Sequence, residues 1–378
     1  MISTDSIAGW LSRLVRIPSV NPAQAGPRAG EPGEARIAAA VAEWFAELGG
    51  EVHIEEKLPG RPLVCGIWPG RSDRLAALDV HLDTVGVEQM LGDPFSGEVR
   101  DGKVHGRGAV DTKASLGVAL ALIEHLQKSG RRPGPSLLIA ASVDEEVGAQ
   151  GAPQFRDWVR AQGLQIHQLA VAEPTLCGPV IAHKGGVRIQ YHIQGEPAHS
   201  AQPHKGKNAI TAGAHLIAAL AEEHDRLQRE PTEVPTGPPT LTVTGVRGGS
   251  GTNVVPAECV VTVDRRLIPG EDGPAVAAAL SRLGENACPL PVRAEAPLIF
   301  TPFWQPAESP WIQQLAEWSG RAAAAVPYGT NAWAYGGLAE ECVIIGPGSI
   351  DQAHGVVEWV ELSQLEKIAG IYARWWEL

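Results

Sequence analysis

Three adjacent carboxylates, Asp144-Glu145-Glu146, directly follow the apolar run 137–143, at the point where a strand should end and a crevice begin. Like charges this close raise one another's pKa, so the cluster makes chemical sense when a cation neutralises part of it or one member works as a base. Three other strand-like runs end in the same way. The run 74–80 leads into His81 and Asp83, the run 168–172 into Glu173, and the run 342–345 through Gly346-Pro347-Gly348 toward His354. Imidazole and carboxylate suit hard or borderline divalent metals, and a pair of such ions needs a bridging carboxylate with terminal ligands on either side. His81, Asp111, Glu146, Glu173 and His354 are the candidate ligands. Asp111 suits the bridge, because it opens a helix after the Gly106-Arg107-Gly108 turn. Asp83 lies two residues beyond His81, on the same side of an extended segment, and is expected to accept a hydrogen bond from the imidazole and fix its tautomer. Glu145, beside a ligand but pointing elsewhere, is the candidate general base. Taken singly, each residue has an ordinary reading, a structural histidine or a helix cap. Only together do they point to a metal centre.

Such a set needs a sheet whose strands all end at one edge. Up to about residue 183, apolar strands alternate with helical patterns at 34–48 and 112–128, the signature of βαβ units and a mainly parallel sheet. In an open sheet of this kind ligands bind at the carboxyl ends of the strands. The pattern then changes. Val187, Ile189, Tyr191 and Ile193 alternate with polar residues, which fits a half-exposed antiparallel strand. A helix at 208–227, strands near 240–245 and 259–266, a helix near 273–283 and a short strand near Val292 follow, an order matching a ferredoxin-like split β-α-β unit. After Thr301 the α/β character returns, with helices at 310–323 and 362–375. The expected organisation is an α/β domain at 1–184 and 298–378 with a ferredoxin-like α+β domain inserted at 185–297. A Pro/Thr-rich link occupies 231–239.

The bulk properties exclude several classes. A chain of 378 residues exceeds what one core usually serves. The formal net charge of −12, with no basic run, argues against nucleic-acid binding. There is no basic start followed by an apolar stretch and no membrane-length apolar run, so a cytoplasmic location without membrane contact is the expectation. Five scattered cysteines without CxxC spacing are expected to be reduced thiols. No Walker loop, HExxH helix, GxSxG elbow or dinucleotide fingerprint occurs, which counts against a nucleotide-dependent α/β enzyme.

His81-Leu82-Asp83-Thr84-Val85, Gly106-Arg107-Gly108-Ala109-Val110-Asp111-Thr112-Lys113, Asp144-Glu145-Glu146-Val147-Gly148, Ala172-Glu173-Pro174, Ala198-His199-Ser200-Ala201-Gln202-Pro203 and Gln352-Ala353-His354 together resemble the ordered motif set of the M20 metallopeptidase family. The resemblance implies a co-catalytic pair of divalent ions, zinc first with cobalt or manganese as alternatives. His81 and Glu173 would hold one ion, Glu146 and His354 the other, with Asp111 bridging and Glu145 as base. It also implies that the larger domain is the catalytic one and the inserted domain a lid/dimerisation domain, a cis peptide after Asp111, and a role for His199 in stabilising the oxyanion across a homodimer formed through the lid. Asn253, Arg266, Gly329 and Gly348 match positions that face the substrate, with Arg266 suited to a carboxylate and neighbouring Arg265 read as solvated. Glycines at 346 and 348 would let backbone amides approach a substrate anion. The 328–332 and 346–354 segments look most similar to the acetylornithine deacetylase branch, although that branch often carries an acidic residue where Asn331 stands. The expected activity is hydrolysis of an N-acyl amino acid amide by a metal-activated water. A carboxypeptidase or dipeptidase of the same family is the alternative, and a non-catalytic binding protein is the rival from another class.

Overall fold

The computed structural model describes residues 2–378, which divide into two compact units. The larger holds the chain up to Ile181, then Gln305–Ala324 and Thr330–Leu378; the smaller holds Ala182–Trp304 and Ala325–Gly329. The insertion therefore runs past the expected boundary at 297. Strand Leu298–Phe300 pairs with strand Gly185–Gln194, which carries the chain on along the smaller unit's sheet.

At the heart of the larger unit lie four parallel strands in the order Ser136–Ser142, Leu75–His81, Ile166–Val171 and Ala339–Ile344. These are the four runs that the sequence pattern singles out. Their buried residues are mainly apolar, as a sheet covered on both faces requires, with Asp79 a buried acid within Leu75–His81. An antiparallel hairpin, Glu51–Leu58 and Arg61–Trp68, extends one edge, so the complete sheet is mixed. Helix Lys113–Ser129 is the central packing element. Every residue from Lys113 to Ile123 is buried, and the chain ends the helix at Gly130 in the left-handed conformation. Helices Thr4–Val15 and Leu362–Trp375 pack against it. A small sheet of Val99–Arg100, Lys103–His105 and Trp359–Glu361 fastens the segment that follows His354.

The smaller unit has the β-α-β-β-α-β order, with strands Thr240–Gly248, Glu258–Leu267, Gly185–Gln194 and Val292–Ala294 adjacent in that spatial order. Val187, Ile189, Tyr191 and Ile193 are buried beneath helices Ala209–Arg229 and Gly273–Ala287, while Arg188 and Gln194 are exposed. Asn208 and Asp272 cap these helices, accepting hydrogen bonds from the Thr211 and Ala275 amides at 3.0 and 3.3 Å. All five cysteines are buried free thiols, and among the described residues no helix is long and apolar enough to cross a membrane.

Leu116 is fully buried in the central helix. Leu116→Ala should therefore destabilise the larger unit by about 2–5 kcal/mol, read as a lowered urea midpoint. A loss no larger than the roughly 0.5 kcal/mol typical of surface sites would contradict this account of the core.

Candidate metal centre

Each of the four parallel strands delivers one part of the site. His81 is the last residue of its strand and is buried. Its Nδ1 lies 3.0 Å from the backbone carbonyl of Asp83, which can only accept, so Nδ1 carries a proton and Nε2 is the nitrogen turned toward the other site residues. That Nε2 faces Asp111 Oδ1 at 3.1 Å. The other oxygen of Asp111, Oδ2, lies 3.2 Å from His354 Nε2, and His354 Nε2 is also 3.2 Å from Glu146 Oε2. Ligand atoms of His81, Asp111 and Glu173 all lie within 4.8 Å of one another, and so do those of Asp111, Glu146 and His354. Asp111 belongs to both triads, one oxygen turned to each histidine. The Asp111-Thr112 peptide is cis.

The electrostatics of the cluster show what it lacks. Burial acts first on Glu173, aided by the charges of Asp111 and Glu145, and pushes its carboxyl well above the usual range. Burial likewise pushes Glu145 up to about 8, helped by Glu146, Asp111 and Asp83 and opposed by His81. Burial and the Asp111 charge raise Glu146. Hydrogen bonding to Asp111 and then Glu146 pushes His354 up to about 10. Burial works against a charged Asp111, but the bonds from His354 and His81 outweigh it and hold that carboxyl well below the usual range. The two imidazoles thus serve as counter-ions to a group of acids that outnumber them. Imidazole Nε2 and carboxylate oxygens aimed at one another are the donor set a divalent ion takes, so the residues present fit such an ion at each triad.

Asp83 does something other than the sequence suggests. The hydrogen bond of His81 goes to its backbone carbonyl, and its carboxylate lies 3.7 Å away from Nδ1. The strand ends at His81, so the two-residue alternation that would align the side chains is lost. The carboxylate instead accepts the backbone amides of Glu145 at 3.0 Å and Glu146 at 3.2 Å, and the Asn21 amide at 2.8 Å. It holds the turn that carries the base and one ligand. Asp144, at the head of this turn, has a φ of 61° and is anchored by Arg61 at 2.6 Å. Arg61 also forks onto Glu34, with Nε to Oε2 at 2.7 Å and Nη2 to Oε1 at 2.5 Å.

Two further expectations are corrected. The amides of Gly346 and Gly348 are already engaged, by Thr175 Oγ1 at 3.1 Å and Gln364 Oε1 at 3.3 Å, and so are not free for a substrate anion. Gly346 serves packing, because a Cβ there would come 2.4 Å from the Glu173 carbonyl. Arg265 is buried and paired with Glu271 rather than solvated. Asn331 is buried, its amide donating to Asp79 Oδ2 at 3.0 Å and Ser142 Oγ at 3.2 Å. His199, Asn253, Arg266 and Gly329 lie in the smaller unit. His199 and Asn253 are exposed on neighbouring segments, with the Ser200 amide bonded to the Asn253 carbonyl at 2.9 Å. Arg266 is partly exposed and pairs with Asp264 at 2.8 Å, and Gly329 is exposed.

A family model described as Peptidase family M20/M25/M40 matches residues 77–378. The chain belongs to this family. An acetylornithine deacetylase of Myxococcus xanthus is 30% identical to this M20 chain over 304 residues, covering 79% of it and 78% of the relative. The aminopeptidase PepT of Bacillus cereus has the same fold, with a TM-score of 0.77 at 20% identity over 100% of this chain and 98% of that one. An M20 family metallo-carboxypeptidase of Sulfolobus solfataricus gives a TM-score of 0.78 at 18% identity, covering 97% of both chains. With deacetylase and peptidase relatives in the family, this M20 protein is an amidohydrolase.

Asn21, Glu34, Arg61 and Glu358 carry no local mark in the sequence, yet they support the site residues from behind. Arg61 is the cation of its cluster: its side chain is 15% exposed, against 0% for Glu34 and 8% for Asp144. Arg61→Met should therefore destabilise the protein by about 3–5 kcal/mol, and adding Glu34→Gln should restore part of the loss. Additive losses in a double-mutant cycle would show that the two do not act together.

Proposed function

We propose that this chain hydrolyses the amide bond of N-acyl amino acids, as a deacetylase with two divalent ions, zinc first. The observation that carries the reading is Asp111, shared by two triads with a separate oxygen toward each. The 30% identity to a curated acetylornithine deacetylase supports the acyl amino acid class. In this reading His81 and Glu173 hold one ion, Glu146 and His354 the other, and Asp111 both. Bound there, such ions lower the pKa of a coordinated water and polarise a substrate carbonyl.

The chain's own groups supply the proton handling. Glu145 is half-buried, and its carboxyl, pushed up to about 8 by burial and then by the neighbouring acids, can exchange a proton near neutral pH. Its backbone is pinned by Asp83 at 3.0 Å, so the carboxylate is presented from a fixed turn. His199 accepts the Ala201 amide on Nδ1 at 3.1 Å, which leaves the proton on exposed Nε2, the tautomer able to donate to an oxyanion. Arg266 keeps guanidinium donors beyond its bond to Asp264, a fork suited to a substrate carboxylate. Asn253 and Gly329 are the remaining substrate contacts of this reading. We place the protein in the cytoplasm as a homodimer formed through the smaller unit.

A second reading, a carboxypeptidase or dipeptidase, is favoured by one observation. Asn331 is neutral and turned into the core toward Asp79, so position 331 offers no acid to an ornithine or lysine side chain. A hydrolysis screen of N-acetyl amino acids beside dipeptides, with metal content measured on the same sample, tests the choice. Turnover of N-acetyl amino acids with about two ions per chain supports the deacetylase reading; turnover of dipeptides alone supports the alternative, and no turnover of either contradicts both.

Glu145→Gln should keep its metal and lose roughly 10²–10⁴-fold in kcat; wild-type turnover would remove Glu145 from the role of base. Mixing inactive His199→Ala chains with inactive Glu145→Gln chains should restore activity if His199 serves a site on its partner. Mixed dimers that stay inactive would show that it does not act across the dimer.

A further inference from the structure

The Arg107–Glu358 ion pair is buried charge that the proposed chemistry leaves unused. Its side chains are 3% and 0% exposed, with Nη1 to Oε2 at 2.6 Å. A buried pair of this kind is a poor device for stability alone, since well-packed apolar residues often serve as well or better. What distinguishes this pair is where its remaining atoms go. The second oxygen of Glu358, Oε1, accepts the Val110 amide at 3.1 Å and lies 3.4 Å from the Asp111 amide. Arg107 Nη2 donates to the carbonyls of Gly86 at 3.1 Å and Gly355 at 3.3 Å. Gly355 follows His354 directly. One ion pair therefore grips the backbone of the shared aspartate, the backbone beside the second histidine and the loop beyond His81.

The two triads depend on this grip unequally. His81 is the last residue of a central strand, and its ring is fixed by the Asp83 carbonyl. Glu173 follows another central strand by two residues, and its backbone packs against Gly346. His354 has no such support. Its side chain is 51% exposed, its φ is 61°, and it follows a single 3-10 turn, Ile350–Gln352. We propose that Arg107 and Glu358 are positioning residues that hold Asp111 and the His354 segment at the spacing required by the Asp111–Glu146–His354 triad. The proposal rests on the two-ion reading above, and it makes the ion at that triad the one sensitive to the pair.

The test is calorimetric titration of zinc into the full-length metal-free protein, comparing wild type, Arg107→Lys and Glu358→Gln. Lysine keeps the charge but cannot reach Glu358, Gly86 and Gly355 at once; glutamine keeps the shape but weakens the grip on Arg107. The expected result is one ion bound as in wild type and one bound about 10–100-fold more weakly, with kcat restored at saturating zinc and KM unchanged. Two ions bound with wild-type affinities, even alongside a lowered melting temperature, would show the pair to be merely structural and overturn the proposal. The double variant Arg107→Met/Glu358→Leu leaves no unpaired buried charge and gives the same readout should a single variant fail to fold. Wild-type protein that takes up fewer than two ions would overturn the metal-centre reading and the clamp with it, whereas equal affinities in wild type and variants overturn the clamp alone.

Discussion

Asp111, Glu145, Glu146 and Glu173 are gathered at one edge of the central sheet, and negative charge at that density is costly without positive charge among it. Two unit charges about 4 Å apart interact by about 4 kcal/mol at an effective dielectric of about 20, so several such repulsions rival the whole stability of a domain. The chain supplies His81 and His354 as partial compensation, each with Nε2 aimed at a different oxygen of Asp111. Everything else about the larger unit can be understood as what is needed to hold that arrangement against its own repulsion.

The sheet provides the first part of that restraint, since four parallel strands place their carboxyl ends side by side however the loops run. The second part is a set of buried polar clusters behind the site. Asp83 takes the amides of Glu145 and Glu146, Arg61 anchors Asp144 directly while held by Glu34, and Glu358 with Arg107 holds Asp111 and Gly355. Each cluster joins segments that are distant in sequence, Asn21 to Asp83 and Asp144 in one case and Arg107 to Glu358 in another. Backbone conformations unusual for these residue types, such as the positive φ of Asp144 and His354, occur where those clusters grip the chain.

The strands and the gathered His and carboxylate groups were legible because both leave local marks. Apolar runs of four to seven residues end in His or carboxylate, and the change from continuous to alternating patterning near residue 185 announces the smaller unit. The supporting charges were not legible, because a buried Arg or Glu looks the same in sequence as a solvated one. Glu34 sits at the start of a helix and Arg61 in a hairpin strand, and only tertiary contact makes them partners. Asp83 shows how a local rule fails: the alternation of side chains ends with the strand at His81, two residues short of Asp83. Asn331 shows the opposite case, a surface-like polar residue whose task is to satisfy buried Asp79.

Anomalous diffraction at the zinc edge from zinc-loaded crystals tests the central claim most directly. The account predicts two strong peaks, each within about 2.0–2.2 Å of a different Asp111 oxygen, one beside His81 and Glu173 and the other beside Glu146 and His354. A single peak, or peaks that leave Asp111 unligated, would contradict it.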